Sequence, residues 1–209
     1  MSDFDIAIIG AGIAGASLAA EISAHKSVLL IEAEAHPGYH STGRSAAFWD
    51  ESYGGPAVQP LTTASGPFLA NPPSDFHEGP LMHPRGALHL GTDAHHLLAD
   101  ALLTDFADSG VRFERLDRQG IDAHVPGLLP AWTSGLWEPD CCDIDVGGLH
   151  GAYLRQAKRQ NVILRCNSRL QSAQWNAGCW HLGTMGASFT ADMIVNAAGA
   201  WADEVAQLA

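Results

Sequence analysis

An α/β fold with a Rossmann-like parallel sheet follows from three features of this 209-residue sequence. The first 32 residues read as strand, glycine turn, helix and strand. The middle is rich in Pro, Gly and Ser and lacks that rhythm. From about residue 146 the pattern returns to a helix, a short apolar strand and an alternating meander. A unit that opens the chain and resumes after an interruption predicts one nucleotide-binding sheet with a smaller α+β segment inserted into it.

The opening unit is "DFDIAIIGAGIAGASLAAEISAHKSVLLIEAE". Ile6, Ala7, Ile8 and Ile9 form the continuous apolar run of a parallel strand buried on both faces. A helix is expected from about Ile13 to Ala24, and Val28 to Ile31 form a second strand that ends in Glu32. Gly10 permits the sharp exit from the first strand. Gly12 lets a pyrophosphate approach the backbone, and Gly15 lets the helix press on the sheet, a contact that small Ala19 continues one turn later. The helix directs its positive end and free N–H groups at the phosphates. Glu32 lies 17 residues after Gly15, where its carboxylate can accept hydrogen bonds from a ribose diol and would repel a 2′-phosphate. These residues point to a dinucleotide and leave FAD and NAD both open.

The next segment, "HPGYHSTGRSAAFWDESYGG", is too rich in small and polar residues for a core element. Ser41, Thr42, Gly43, Arg44 and Ser45 offer hydroxyls, a guanidinium and backbone donors suited to a long anionic cofactor, or to an ordinary surface loop. Residues 54–84 should be mostly irregular, with a short helix around Leu61 to Leu69. A strand is expected at Ala87 to Leu90. An amphipathic helix follows at His95 to Ser109, with Leu97, Leu98, Ala101, Leu102 and Phe106 inward. "GIDAHVPGLLPAW" and "SGLWEPDCCDID" read as turns and short strands. Asp145 can cap a helix from Val146 to Arg159. "NVILRC" rejoins the parallel sheet, and a meander follows with turns at Asn176-Ala177-Gly178 and Met185-Gly186. Trp175 and Trp180 read as packing residues of its hairpin.

Composition excludes several functions. Asp and Glu outnumber Lys and Arg 23 to 11, a formal charge of −12 without a basic cluster, which argues against nucleic acid. No run approaches the roughly 20 apolar residues of a membrane span, and the acidic N-terminus does not resemble a signal peptide, so a cytoplasmic location is expected. Cys141, Cys142, Cys166 and Cys179 form no CxxC pair and read as free thiols. His95 and His96 diverge on a helix, so no metal site is assigned to them.

The glycine turn, Glu32, "PGYHSTGRSAA", "LTTASGPFLANPPSDF", "PLMHPR", "LHGAYLRQ" and "VNAAGAWAD" together resemble the FAD-dependent D-amino-acid oxidase and dehydrogenase superfamily, most closely its bacterial D-arginine dehydrogenase type. That resemblance implies a Rossmann-like FAD-binding domain carrying an inserted, incomplete α+β substrate domain. The FAD-binding parts would be residues 1–53 and 146–209, and the substrate part residues 54–145. It implies FAD held non-covalently. Gly10, Gly12, Ile13, Ala14 and Gly15 would lie at the pyrophosphate and Glu32 at the adenosine ribose. His40, Ser41, Arg44, Ser45 and Ala47 would lie along the flavin and its phosphates, and Leu170 at the adenine. Ala197, Gly199 and Trp201 would belong to a second cofactor turn.

On the substrate side the resemblance implies Phe48 beside the flavin, where relatives carry His, and Tyr53, which is retained. Asp50 replaces a Thr and is either an amine-binding group or a solvated loop carboxylate. Ala87 replaces an acid that reads a cationic side chain, which removes the attractive partner D-arginine would need, so a neutral amino acid or secondary amine fits no worse. The implied reaction moves a hydride from the substrate Cα to flavin N5. The chain is expected to be the N-terminal portion of such an enzyme, with the carboxylate-clamping Arg and Tyr in a second half, and with an exposed sheet edge where a last parallel strand would pair. The alternatives are an inactive FAD-binding remnant, a site completed by a separate second half, or an NAD-dependent dehydrogenase.

Overall fold

The computed structural model describes residues 2–209. In chain order the first elements are β1 (Phe4–Ile9), α1 (Ile13–Ile22), β2 (Val28–Ile31), β3 (Phe48–Trp49), α2 (Gln59–Ala70), β4 (Met82–Pro84), β5 (Ala87–Gly91) and α3 (His96–Asp105). There follow β6 (Glu114–Leu116), α4 (Arg118–His124), β7 (Ser134–Glu138), β8 (Cys142–Ile144), α5 (Val146–Arg159), β9 (Ile163–Arg165), β10 (Leu170–Asn176), β11 (Cys179–Thr184), β12 (Ala187–Asn196) and α6 (Ala202–Leu208). The chain forms two compact units, one of residues 1–45, 75–77 and 146–209, the other of residues 46–74 and 78–145.

The first unit is built on a six-stranded sheet of order β10-β11-β12-β1-β2-β9. β12, β1, β2 and β9 run parallel, and β10-β11-β12 form an antiparallel meander on the same sheet. The apolar run of β1 divides by alternation. Ile8, with Leu30, packs among Ala11, Ala19, Ala20 and Ala157, the face covered by α1 and α5. Ala7 and Ile9, with Leu29 and Ile31, pack among Leu170, Leu182, Ala191 and Val205. Both faces are therefore buried, which is why these strands read as continuous rather than alternating.

The meander turns where expected. Asn176 pairs with Cys179, so Ala177 and Gly178 form a two-residue loop, both at positive φ (51° and 86°), the handedness a tight hairpin requires. Trp175 and Trp180 face each other across it, edge to face at 5.6 Å. The first helix ends at Ile22 rather than Ala24. There the Ser23 hydroxyl turns back to Ala20 O, and the N–H groups of His25 and Lys26 both donate to Ile22 O, closing a tight turn.

In the second unit β5-β7-β6 and β3-β8-β4 form two small sheets. Leu81, Phe106, Ile121, Leu136 and Cys141 are buried in it. The helix expected over 95–109 forms over His96–Asp105, and its inward stripe differs from the expected one. Leu97 and Leu98 are each 67% exposed and Ala101 is exposed, while Ala99, Leu102, Leu103 and Phe106 turn inward. Phe106 sets this phase. It is 3% exposed and meets Phe113 edge-on at 6.1 Å, and stepping back three, four and seven residues from it gives Leu103, Leu102 and Ala99.

Candidate functional site

Parallel strands open a crevice at their carboxyl ends, and the first unit has a cleft there. It is bounded by the ends of β1 and β2, the 38–42 segment, Ser168 to Leu170 and the turn from Ala197 to Trp201, and its empty volume is about 930 Å³, partly open to solvent. The backbone leaves β1 at Gly10 with φ +104°, and a Cβ there would stand 2.4 Å from the Ala197 carbonyl. A Cβ on Gly15 would stand 1.9 Å from the Gly10 carbonyl, so α1 crosses the turn at a distance only glycine allows. The N-cap of α1 is Gly12, which has no side chain of its own, and no acid lies in the first turn of the helix.

Glu32 is 9% exposed and is fixed at both oxygens. Ala11 N–H donates to Oε2 at 3.0 Å and Glu34 N–H to Oε1 at 2.9 Å. Its carbonyl accepts from Ser168 N–H at 2.9 Å, which draws the segment after β9 to the cleft. Thr42 reaches the turn from the other side, its Oγ1 accepting from Ile13 N–H at 3.0 Å. His40 Nε2 lies 3.0 Å from Glu34 Oε1, and its ring sits 4.4 Å from that of Trp201. Arg169 approaches Glu34 and Glu204, each at 4.0 Å.

Of the residues named from the sequence, Gly10, Gly12, Glu32, His40, Ser41, Leu170, Ala197, Gly199 and Trp201 line this cleft. Ile13, Ala14 and Gly15 form the first turn of α1 behind it. Arg44 lies with its guanidinium 5.0 Å over the Tyr39 ring, and Ser45 follows it in exposed backbone. Ala47, Phe48 and Tyr53 belong to the second unit. There Phe48 carries the Arg85 guanidinium over its ring at 4.2 Å, and Tyr53 is 82% exposed. Asp50 lies in the loop after β3. It is partly buried, and its Oδ1 accepts from Ser52 N–H, Ser52 Oγ–H and Tyr53 N–H, each at 3.0 Å. His95 and His96 close the turn into α3, through Thr92 and the Asp93 carbonyl respectively.

Sequence reasoning did not assign Glu34, Ser168, Arg169 or Glu204 to the site, and it named Thr42 only among the hydroxyls of its loop. Ser168 and Arg169 arrive because β9 pairs in parallel with β2, a contact with no local signature.

The cleft suits a dinucleotide. It offers an approach to bare backbone at Gly10 and Gly12, a helix N-terminus with no acid in its first turn and a pre-set carboxylate at the tip of β2. A family model described as FAD-dependent oxidoreductase (DAO) matches residues 5–209. Glycine oxidase from Geobacillus kaustophilus superposes with a TM-score of 0.87 at 19% identity, covering 100% of this chain and 58% of that one. The L-α-glycerophosphate oxidase of Mycoplasma pneumoniae, solved with FAD bound, gives 0.85 at 18% identity, covering 100% and 57%. L-Amino acid deaminase from Proteus myxofaciens gives 0.77 at 18% identity, covering 96% and 46%. The chain thus spans about half the length of these structures. Among the described residues no helix is long and apolar enough to cross a membrane.

Proposed function

Because this chain belongs to the DAO family of FAD-dependent oxidoreductases, we propose that its cleft holds FAD non-covalently and that the enzyme it forms part of oxidises D-amino acids or related small amines. The observation that carries the cofactor assignment is Glu32, held by the N–H groups of Ala11 and Glu34 beside a turn in which Gly10 and Gly15 admit no side chain. Gly10, Gly12 and the start of α1 would receive the pyrophosphate, and Glu32 the adenosine ribose. Leu170 would flank the adenine, and His40, Ser41 and the turn from Ala197 to Trp201 would line the remainder. Arg44, Ser45, Ala47 and Phe48 are assigned to the flavin side, with Tyr53 facing substrate. Bound FAD supplies the acceptor for the hydride leaving the substrate Cα. The protein's part is to orient both partners and keep water from the reacting atoms. Ala87 has no charge with which to read a cationic side chain, so a neutral amino acid or secondary amine fits no worse than D-arginine.

The test is the visible spectrum of the purified, desalted chain with and without added FAD, followed by turnover with amine substrates. A flavin spectrum retained at near-stoichiometric occupancy is the expected result. A folded chain that ignores FAD but binds NAD would replace this reading with a nicotinamide dehydrogenase. FAD retained without amine turnover by the chain alone, or with a supplied second half, would leave an FAD-binding protein only.

A further inference from the structure

The second unit brings together one imidazole and two carboxylates from three separate segments. His89 lies on β5 and Glu138 ends β7, and the antiparallel register pairs Ala87 with Glu138 and His89 with Leu136. Ala87 and His89 share a face by alternation, so Glu138 is the diagonal neighbour of His89 on that face. Opposite Glu138 stands only the methyl of Ala87, which leaves its carboxylate room to turn toward the imidazole. Asp50 follows β3, fixed in a tight turn by its bonds to Ser52 and Tyr53. One ligand atom from each of Asp50, His89 and Glu138 lies within 4.8 Å of the other two.

Two features separate this cluster from an ordinary buried ion pair. His89 Nε2 is 3.3 Å from Glu138 Oε2, longer than the ~2.7–2.9 Å of a charge-assisted hydrogen bond. It matches the about 3.3–3.4 Å between two ligands of a tetrahedral ion bound at ~2.0–2.1 Å. Ser52 Oγ also lies 2.7 Å from Glu138 Oε2 and 3.0 Å from Asp50 Oδ1, so a single hydroxyl proton serves two carboxylates. Glu138 is only 1% exposed, and in this group two carboxylates share a single imidazole, that of His89. Burial first, then the charges of Asp50 and Glu138, push the thiol of Cys141 up to about 11 against the opposing charge of Arg85.

We propose that Asp50, His89 and Glu138 form a binding site for a divalent transition-metal ion, Zn²⁺ being the best match. An imidazole with two carboxylates suits Zn²⁺ better than Mg²⁺ or Ca²⁺, which take oxygen ligands. Three protein ligands leave one position to solvent. Ser52 bridges the two carboxylates and orients both, as outer hydrogen bonds commonly do at metal centres. The site lies within one unit and makes no use of the cofactor cleft.

The experiment is calorimetric titration of the EDTA-treated, desalted 209-residue chain with ZnCl₂, with MgCl₂ as a second arm and thermal unfolding as a second readout. One Zn²⁺ per chain with micromolar or tighter affinity, a raised Tm and no Mg²⁺ binding are expected. Ser52→Ala should weaken binding by about tenfold, and His89→Ala or Glu138→Gln by more. Glu138→Gln keeps the shape of the side chain and decides the matter if His89→Ala does not fold. Absence of binding tighter than millimolar overturns the proposal. So does binding that survives Glu138→Gln but is lost on replacing His95 and His96, which would mark an adventitious surface site.

Discussion

Glu32 is oriented by the protein before any ligand arrives, so its loss has two separable consequences. Glu32→Ala removes the acceptors of the Ala11 and Glu34 N–H groups. A buried donor left unpaired costs about 1–3 kcal/mol, so the variant should unfold at lower urea and also lose FAD. Glu32→Gln retains an acceptor oxygen and should keep more stability while losing the charge; unchanged unfolding of the alanine variant would show that these bonds contribute nothing. The glycines separate in the same way. A Cβ on Gly15 meets the backbone carbonyl of Gly10, which has no room to yield, so Gly15→Ala should destabilise by about 1–3 kcal/mol or more, read by urea unfolding. At Gly12 the nearest atom is the Thr42 hydroxyl at 3.2 Å, the movable end of a side chain. Gly12→Ala should therefore fold normally and show its defect in FAD titration.

At the scale of elements, β1 is fastened to its neighbours by the same device twice. Asp3 N–H donates to the Thr190 hydroxyl, while Asp3 Oδ2 accepts from Thr190 N–H and Oγ–H, tying the start of the chain to β12. Asp5 N–H and Oδ2 make the same reciprocal bonds with Ser27, just before β2. The bonds from Thr190 and Ser27 hold both carboxyls below the ordinary value of 3.8. A depressed folded value means the contribution is present above pH 3.8 and is lost as pH falls through the lowered value. Asp5→Asn should therefore lower stability near neutrality and flatten the acid limb of a pH–stability profile; an unchanged limb would contradict the assignment. This level also shows what the sequence makes legible. The opening strand, turn, helix and strand lie within one continuous stretch, each with its own period, so their order can be read directly. The phase of α3 cannot, because Leu97 and Leu98 are as apolar as the residues that turn inward, and the choice belongs to Phe106 meeting Phe113. Glu34, Ser168 and Arg169 share a cleft, and Asp50, His89 and Glu138 a cluster, only through strand pairings between distant segments, and no spacing encodes those.

For the whole molecule, two units with separate cores make the effects of ligands local. FAD at a hundredfold excess over its Kd should stabilise the chain by about 2.7 kcal/mol. Slowed hydrogen exchange should concentrate in residues 9–12, 31–42, 168–170 and 197–201, around the cleft. Protection confined to β5 and β7 would instead place the ligand in the other unit.

The central position of β1 also sets a schedule for the nascent chain. One of its flanking partners, β2, emerges from the ribosome almost at once, but the other is β12, and Asp3 waits for Thr190 across 187 residues. At about 5–20 residues per second, translation of that interval takes on the order of ten to forty seconds. Throughout it a strand with four consecutive apolar residues, Ile6 to Ile9, presents an open backbone edge. The second unit is translated in full within this interval, so it has time to fold while the sheet that contains β1 is still waiting to close.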